Sequence, residues 1–236
     1  MAGDSFVFKQ FIVKQNKCAM KVGTDSVMLG AWANLPYMGN ALDIGAGTGI
    51  IAIMVAQRSN TEVDAIEIER DAYSQAVENC GNCKWEERIK VHHSSFQNYV
   101  SGCVRKYDVI ISNPPYFSNS LPASSEQRTK ARHTNDLSFE ELVDGIVLLM
   151  HKHGSFATIL PLKEAEDLVE IAKARGLNLS RLTRIKTTPP KPEKRVMMEF
   201  TFSRDSFSEN TIVIENDDRS FTPEYKELTR EFYLGF

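Results

Sequence analysis

Hydrophobic positions follow two alternating patterns along most of the chain. Short runs rich in Val, Ile and Leu, typical of buried strands, are followed by longer runs with apolar residues at helical spacing. The pattern predicts eight strands, at 41–44, 63–67, 89–93, 107–112, 155–160, 181–187, 195–203 and 211–215. It predicts four helices, at 48–58, 71–80, 138–150 and 163–175. The early alternation favours a parallel sheet covered on both faces, and the late run of strands favours antiparallel pairing at an edge.

The chain turns abruptly after strand 107–112, where it reads Asn113-Pro114-Pro115-Tyr116. A proline offers no N–H to a strand ladder, so the turn lies at the carboxyl end of a strand, where open α/β sheets bind ligands. The Asn113 side-chain oxygen and the Pro114 carbonyl can accept both hydrogens of an exocyclic amine. Tyr116 can stack on the ring that carries the amine. An ordinary proline-rich turn is the alternative interpretation of the tetrapeptide alone.

A glycine-rich turn follows the strand at 41–44, with Gly45, Gly47 and Gly49 spaced as G-x-G-x-G. Glycines allow positive φ and a close approach of backbone to a ligand. The spacing differs from the G-x-G-x-x-G of dinucleotide-binding proteins, and no P-loop lysine follows. Glu67 ends the next strand, where an acidic residue can accept hydrogen bonds from a ribose diol. A tight strand-to-helix turn is the alternative for the glycines by themselves.

Together these motifs resemble those of class I methyltransferases that use S-adenosylmethionine. The match to the bacterial tRNA adenine-N6 methyltransferases extends over nearly the whole chain, through Phe8-Lys9-Gln10-Phe11, Lys21-Val22-Gly23-Thr24-Asp25, Ala131-Arg132-His133 and Phe221–Thr229. The resemblance implies a Rossmann-like α/β fold with a seven-stranded, mostly parallel sheet, helices on both faces and an antiparallel C-terminal edge. It also implies methyl transfer from S-adenosylmethionine to N6 of the adenine just 3′ of the anticodon in a valine tRNA.

The same resemblance implies roles for individual residues. Asn113, Pro114, Pro115 and Tyr116 are the expected catalytic residues. The expected cofactor-binding residues are Lys21, Gly23, Thr24, Asp43, Gly45, Gly47, Glu67, Ser95 and Asn113. Asp43 would orient the glycine turn, and Lys21 to Asp25 would cover the methionine end. Ser95 stands near the place where many relatives carry an Asp that holds the cofactor adenine.

Length and composition agree with one domain over residues 1–236, and the resemblance implies that residues 1–40 form a flap over the site. A chain with 42% hydrophobic and 25% charged residues can build one sizeable core. No apolar run reaches the length of a membrane span, and no secretory signal is apparent. Four cysteines without a disulfide pattern favour the cytoplasm. We expect a monomer that binds no metal and no membrane and takes the anticodon stem-loop of tRNA as its partner.

The pair Cys80-Gly81-Asn82-Cys83 has a spacing seen in metal and redox sites, but no second such pair exists. The plainer interpretation is a helix that ends at Cys80, with Gly81 and Asn82 as a left-handed cap.

The net charge of −3 excludes a globally basic RNA-binding protein. Two local clusters of cations exist nevertheless, Lys9 to Lys21 and Arg181 to Arg195. They either converge on the turn at Asn113 or lie scattered over the surface. Phe8 and Phe11 either stack on bases or pack on the core. The polar stretch at 117–136 is either a substrate-gating lid or a loop without fixed structure.

Three functions fit the motifs. The first is the tRNA adenine-N6 methyltransferase. The second is an N-methyltransferase acting on a protein glutamine or an rRNA base, although release-factor enzymes carry a helical N-terminal domain and only about 40 residues precede Asp43 here. The third is a non-catalytic RNA-binding protein with a decayed fold, against which the intact Asn113, Glu67 and glycines argue.

Overall fold

The computed structural model describes residues 3–114, 137–204 and 207–236. Pro115, Tyr116 and the stretch at 117–136 lie outside the described residues. The strands are β1 (Ser5–Val7), β2 (Ile12–Lys14), β3 (Asn40–Ile44), β4 (Glu62–Glu67), β5 (Ile89–His93), β6 (Tyr107–Ser112), β7 (Met150–Pro161), β8 (Asn178–Lys186), β9 (Arg195–Thr201) and β10 (Ser208–Val213). The helices are α1 (Thr24–Trp32), α2 (Ile50–Arg58), α3 (Arg70–Gly81), α4 (Phe96–Gly102), α5 (Phe139–Leu149), α6 (Leu162–Ala174) and α7 (Pro223–Thr229).

The main sheet has eight described strands in the order β10-β8-β9-β7-β6-β3-β4-β5. Only β9 among them runs antiparallel to its neighbours, β7 and β8. The expected mostly parallel α/β sheet is therefore confirmed. It contains one strand more than the resemblance implied, because β10 pairs in parallel with β8 and forms the edge.

Helices cover both faces of the sheet. One hydrophobic cluster packs α1, α2 and α7 against one face, and a second packs α4, α5 and α6 against the other. The capping box at Ser138 and Glu141 is present at the start of α5. Gly176 ends α6 in the left-handed region, with a φ of 83°.

Helix α1 is absent from the prediction for a physical reason. Its six residues from Val27 to Trp32 are all buried, so no polar face produces a helical period. Its N-cap is Gly23, which supplies no capping side chain. A helix that is apolar all round and lacks a polar cap leaves no start signal in the sequence.

The left-handed cap expected after Cys80 was wrong. Helix α3 continues to Gly81, and Asn82 has a φ of −105°. The turn closes through hydrogen bonds from Asn82 N to the Asn79 carbonyl and from Cys83 N to the Cys80 carbonyl. Because these hydrogen bonds between residues i and i+3 satisfy the last carbonyls of the helix, no left-handed residue is needed to end it. All four cysteines are free thiols.

The N-terminal hairpin of β1 and β2 is fastened to α3 by a buried amide. Asn79 is 2% exposed. Its Oδ1 accepts from Lys14 N at 2.9 Å, and its Nδ2 donates to the carbonyls of Lys14 and Thr48, each at 2.8 Å. Phe8 and Phe11 are buried and stack on each other, with ring centroids 4.7 Å apart. They pack on the core, so of the two alternatives for these rings, packing holds and stacking on bases does not.

Asn79→Ala is expected to lower the free energy of unfolding by about 2–4 kcal/mol, because it leaves the Lys14 N–H and two buried carbonyls without partners. Urea denaturation measures the change. Asn98→Ala, at an exposed amide on α4, is the control and should change stability by about 0.5 kcal/mol or less. Equal losses in both variants would refute the role given to Asn79.

Candidate functional site

A cleft of about 990 Å³ lies at the carboxyl ends of the central strands. Its floor is the glycine turn between β3 and α2 together with Asn113 and Pro114 after β6. Residues 20–26 form one wall. The other walls come from Phe6, Val7, Ile185, Thr187, Lys194, Arg195, Ile214, Glu215, Phe221, Tyr225 and residues 233–236. The carboxyl edge of a parallel sheet is where ligands bind in this class of fold.

Two glycines leave the floor of the cleft open. Gly45 and Gly47 have φ values of 76° and 55°, and a Cβ added at either position would meet nothing within 4 Å. Their backbone therefore borders free space that a ligand can occupy. Gly49 differs, because a Cβ there would lie 2.9 Å from the Cys80 sulfur. The third glycine allows α2 and α3 to pack closely.

Glu67 holds the glycine turn from below. One carboxylate oxygen accepts from Gly47 N at 2.7 Å, and the other accepts from Glu69 N at 2.8 Å. Glu67 is 7% exposed and does not itself line the cleft. A carboxylate oxygen has more than one lone pair, so each oxygen can still accept a ligand hydroxyl.

Asp43 is buried beneath the same turn. Its Oδ2 accepts from Ala52 N at 3.2 Å, and its Oδ1 has no partner among the described residues. Burial raises the pKa of Asp43 to about 7, and the nearby Glu67 adds to the rise. Asp43 thus anchors the start of α2 in a setting that disfavours its charged form.

The Asn113 side chain has a fixed orientation. Its Nδ2 donates to Ser26 Oγ at 2.9 Å. Ser26 lies in the first turn of α1 and lines the cleft beside Asn113 and Pro114. With the amide nitrogen committed to Ser26, the Asn113 Oδ1 is the atom left to accept a hydrogen bond from a ligand.

Residues 21–25, predicted to cover the methionine end of the cofactor, border the cleft. They include the exposed Lys21, Gly23 and Thr24. The first backbone N–H groups of α1 lie here without a capping side chain, and such groups favour an anionic partner. Asp25 in the same turn is ion-paired with Arg195.

Ser95 is separate from this assembly. It follows β5 at the same edge of the sheet, but it does not line the cleft. Its hydroxyl oxygen accepts from Asn98 N at 3.2 Å as the N-cap of α4. The structure thus brings together the predicted residues Lys21, Gly23, Thr24, Gly45, Gly47, Asn113 and Pro114, places Asp43 and Glu67 directly beneath them, and leaves Ser95 apart.

The two cation clusters converge only in part. Lys21, Lys194 and Arg195 line the cleft. Lys14 and Lys17 instead pair with Glu78 on α3, at 2.7 and 2.9 Å. Other members serve packing, such as Arg181, which lies 3.6 Å from the centre of the Trp32 ring. Lys130 and Arg132 belong to the stretch outside the described residues.

Several cleft residues have no signal in the sequence. Ser26 contacts Asn113 across 87 positions of the chain, and Phe6 reaches the cleft from the N-terminal hairpin. A pattern read along the chain does not reveal such pairings. Among the residues that the structure describes, no group of three or more His, Cys, Asp or Glu is arranged to hold a metal ion, and no helix is long and apolar enough to cross a membrane.

Comparisons with known proteins agree on a methyltransferase. The family model named methyltransferase small domain matches residues 20–130. A protein of Flavobacterium johnsoniae is 45% identical over 97% of this chain and 99% of its own length. One of Bacteroides fragilis is 43% identical over 99% of each chain. A third, of Trichodesmium erythraeum, is 41% identical over 100% of each. All three are named tRNA1(Val) (adenine(37)-N6)-methyltransferase.

Solved structures show the same fold at low sequence identity. A predicted O-methyltransferase of Agrobacterium tumefaciens superposes with a TM-score of 0.69 at 20% identity, over 88% of this chain and 96% of that one. A glycopeptide N-methyltransferase in complex with S-adenosylmethionine gives a TM-score of 0.55 at 10% identity, over 78% of this chain and 100% of that one.

Asp43→Asn is expected to flatten the dependence of stability on pH between about pH 4 and 7. Native Asp43 holds its proton up to about pH 7, whereas an unfolded aspartate releases it near pH 4. In that window the native state binds more protons, so this residue makes the free energy of unfolding fall as pH rises, by up to about 1.4 kcal/mol per pH unit.

Urea denaturation at several pH values measures this slope. Asp71→Asn, at an exposed aspartate on α3, is the control and should follow the wild-type profile. A profile of Asp43→Asn identical to that of the wild type would show that Asp43 does not carry the proton.

Proposed function

Because the chain belongs to the tRNA1(Val) (adenine(37)-N6)-methyltransferase family, we propose that it methylates N6 of adenine 37 in the anticodon loop of a valine tRNA. The observation that carries this proposal is the fixed Asn113 amide in the cleft, with its oxygen left as an acceptor beside an open glycine turn. A substrate amine that donates to Asn113 and a methyl donor bound beside Gly45 and Gly47 would therefore lie in the same cleft.

The cofactor of this reaction is S-adenosylmethionine, which supplies an electrophilic methyl group on sulfur. The open space beside Gly45 and Gly47 fits a ligand that approaches the backbone closely. Glu67 would accept from the ribose hydroxyls, and the uncapped N-terminus of α1 would bind the carboxylate of the methionine part. Lys21, Gly23 and Thr24 would cover that part, and Asp43 would keep the turn in place. Ser95 lies outside the cleft, so we propose that the cofactor adenine extends past Glu67 to the end of β5, where the Ser95 hydroxyl can donate to it.

Asn113 and the Pro114 carbonyl would orient the acceptor nitrogen. The lone pair of an adenine amine is delocalised into the ring, so the amine is a poor nucleophile. As the new N–C bond forms and the S–C bond breaks, positive charge grows on this nitrogen, and two oxygen acceptors bind it more strongly then than before. The methylated nitrogen would then lose its extra proton to water. Alignment of the nitrogen with the methyl group would further increase the rate of transfer.

Ser26 positions the Asn113 amide. The Asn113 Nδ2 donates to Ser26 Oγ, and in this orientation Oδ1 is left to face the substrate amine. In the opposite orientation the Ser26 hydroxyl would donate to Oδ1, and Nδ2 would face the amine donor to donor and lose the hydrogen bonds to it. The hydroxyl of Ser26 therefore acts on the reaction through Asn113.

Adenine 37 lies in a loop, so it is not paired and leaves its stack at a smaller cost than a base in a duplex. We propose that Pro115 stiffens the catalytic turn and that Tyr116 stacks on the flipped adenine.

We further propose that residues 1–236 act as one catalytic domain whose N-terminal part, residues 1–40, covers the site. The proposed assembly is a monomer, and the proposed location is the cytoplasm. Four free thiols and a tRNA substrate support that location. A protein glutamine would also donate its amide hydrogens to Asn113, so tRNA and peptide acceptors need to be compared directly.

Asn113→Ala is expected to lower the rate of methyl transfer by about 10²–10³-fold, the loss that follows removal of one preorganised polar group. The affinity for S-adenosylmethionine should stay unchanged. The measurement is transfer from labelled S-adenosylmethionine to unmodified valine tRNA, with N6-methyladenosine identified after nucleoside digestion.

Asn98→Ala, at an exposed amide outside the cleft, is the matched control and should retain the wild-type rate. Ser26→Ala should give a smaller loss than Asn113→Ala, because it frees the amide without removing it. Label in a peptide glutamine, with none in tRNA, would overturn the proposed substrate, and a wild-type rate in Asn113→Ala would overturn the role of Asn113.

Glu67→Ala is expected to weaken binding of S-adenosylmethionine by about 10–100-fold, since it removes a charged acceptor and releases the Gly47 and Glu69 N–H groups. Isothermal titration calorimetry measures the Kd. Glu62→Ala, at the exposed opposite end of β4, is the control and should bind as the wild type does. An unchanged Kd in Glu67→Ala would exclude Glu67 from the cofactor site.

A further inference from the structure

Several aromatic residues line the cleft without a role in the proposed binding of the cofactor or the target adenine. Phe6 from the N-terminal hairpin and Phe221, Tyr233 and Phe236 from the C-terminal segment all line it. We call these four residues the aromatic shelf. The roles proposed above for the cofactor and for Asn113 involve none of them.

The shelf is a supported set of rings. Phe221 and Phe236 meet edge to face, with centroids 5.1 Å apart and planes at 73°. Tyr233 and Phe236 meet at 5.5 Å and 83°, and Phe6 lies 6.0 Å from Tyr233. Such edge contacts hold aromatic rings in place. Phe221 is nevertheless 39% exposed, so a ring that its neighbours fix still borders solvent in the cleft.

The backbone on both sides of the shelf is tied down. Phe221 forms a bridge with Glu215, and Thr222 N donates to the Ile214 carbonyl at 3.0 Å. Lys9 joins the two ends of the chain, since its N donates to the Phe232 carbonyl at 2.8 Å and its Nζ donates to the Phe236 carbonyl at 2.6 Å. A rigid aromatic surface loses little entropy when a ligand stacks on it.

Cations border the same part of the cleft. Lys21, Lys194 and Arg195 line it. Of the two acidic residues in the lining, Asp25 pairs with Arg195 itself and Glu215 pairs with Arg219 outside the cleft. Aromatic rings alone would suit any flat apolar ligand, and cations alone would suit any phosphate. Rings beside cations in a cleft that also accepts an amine fit single-stranded nucleic acid, whose bases stack while its phosphates pair.

We propose that the aromatic shelf, with Phe221 as its exposed ring, stacks an unpaired nucleotide that flanks the target adenine in the RNA. This inference rests on the proposed function and adds to it a second base-binding position. A flanking base stacked on the shelf holds the loop open and keeps the target adenine at Asn113. The shelf therefore contributes to the affinity for RNA and not to the affinity for the cofactor.

Phe221→Ala tests the proposal with a synthetic anticodon stem-loop of valine tRNA. We expect about tenfold weaker binding of the stem-loop, the loss that removal of one stacking ring causes. The Kd of S-adenosylmethionine should stay unchanged. Phe221→Trp should retain binding, because it keeps a stacking face. Phe207→Ala removes an exposed phenylalanine outside the cleft and is the matched control.

Stem-loops with 2-aminopurine beside the target adenine report stacking directly. Binding to the wild type should quench the fluorescence of the flanking probe, and Phe221→Ala should abolish this quenching while Phe207→Ala preserves it. Phe221→Leu keeps an apolar contact with Phe236 without a stacking face, so it should also lose the quenching if the alanine variant does not fold.

Two results would overturn the proposal. One is stem-loop binding and quenching by Phe221→Ala or Phe221→Leu equal to those of the wild type. The other is an equal loss of RNA and cofactor affinity, which would assign Phe221 a purely structural role. Failure of the wild type to methylate valine tRNA would instead refute the proposed function. The binding and quenching measurements do not depend on methyl transfer, so the two failures can be distinguished.

Discussion

The hydrogen bond from the Gly47 N–H to the Glu67 carboxylate, at 2.7 Å, is the constraint on which the cleft depends. It ties the turn after β3 to the end of β4, and the second carboxylate oxygen fixes the chain after β4 through Glu69 N. Because Gly47 has positive φ and free space beside it, the turn presents bare backbone to the cleft. One carboxylate thus sets the floor of the site while it remains able to accept a ligand hydroxyl.

Asp43 and Asp64 are buried aspartates on the neighbouring strands β3 and β4, and their carboxylates have different surroundings. Burial raises the pKa of Asp64, but hydrogen bonds from His92 and Tyr107 and the charge of Arg105 outweigh it and hold that pKa below its usual range. Asp43 has only the Ala52 N–H, and its pKa is raised to about 7. The Asp64 carboxylate has hydrogen-bond partners on both oxygens, as expected of a residue with a structural role. The Asp43 carboxylate has one oxygen without a partner among the described residues, and it lies directly beneath the cleft.

The sequence revealed the parts of the molecule whose signals are local. The eight predicted strands, the glycine turn and the capping box at Ser138 depend on residues close in the chain, and the structure places them within a few positions of the prediction. The hairpin strands β1 and β2 and the short helices α4 and α7 were not predicted. Helix α1 escaped prediction because its residues are buried on all sides. Ser26 was not predicted because its partner Asn113 lies 87 positions away along the chain. Phe221 belonged to the C-terminal motif, but the motif did not assign it to the cleft. Ser95 serves a helix cap that its position in the motif did not reveal.

The cleft is therefore built from two kinds of chain segment. Its floor comes from the ends of sheet strands, whose positions the ladder and both hydrophobic clusters fix. Its aromatic wall comes from the two ends of the chain, which are held by Asn79, Lys9 and the bridge between Glu215 and Phe221. Changes in the floor act on the reaction itself, since a misplaced acceptor loses the charge stabilisation that it provides. Changes in the wall can alter which RNA binds without moving the reacting groups, so the fold allows substrate choice and chemistry to vary separately.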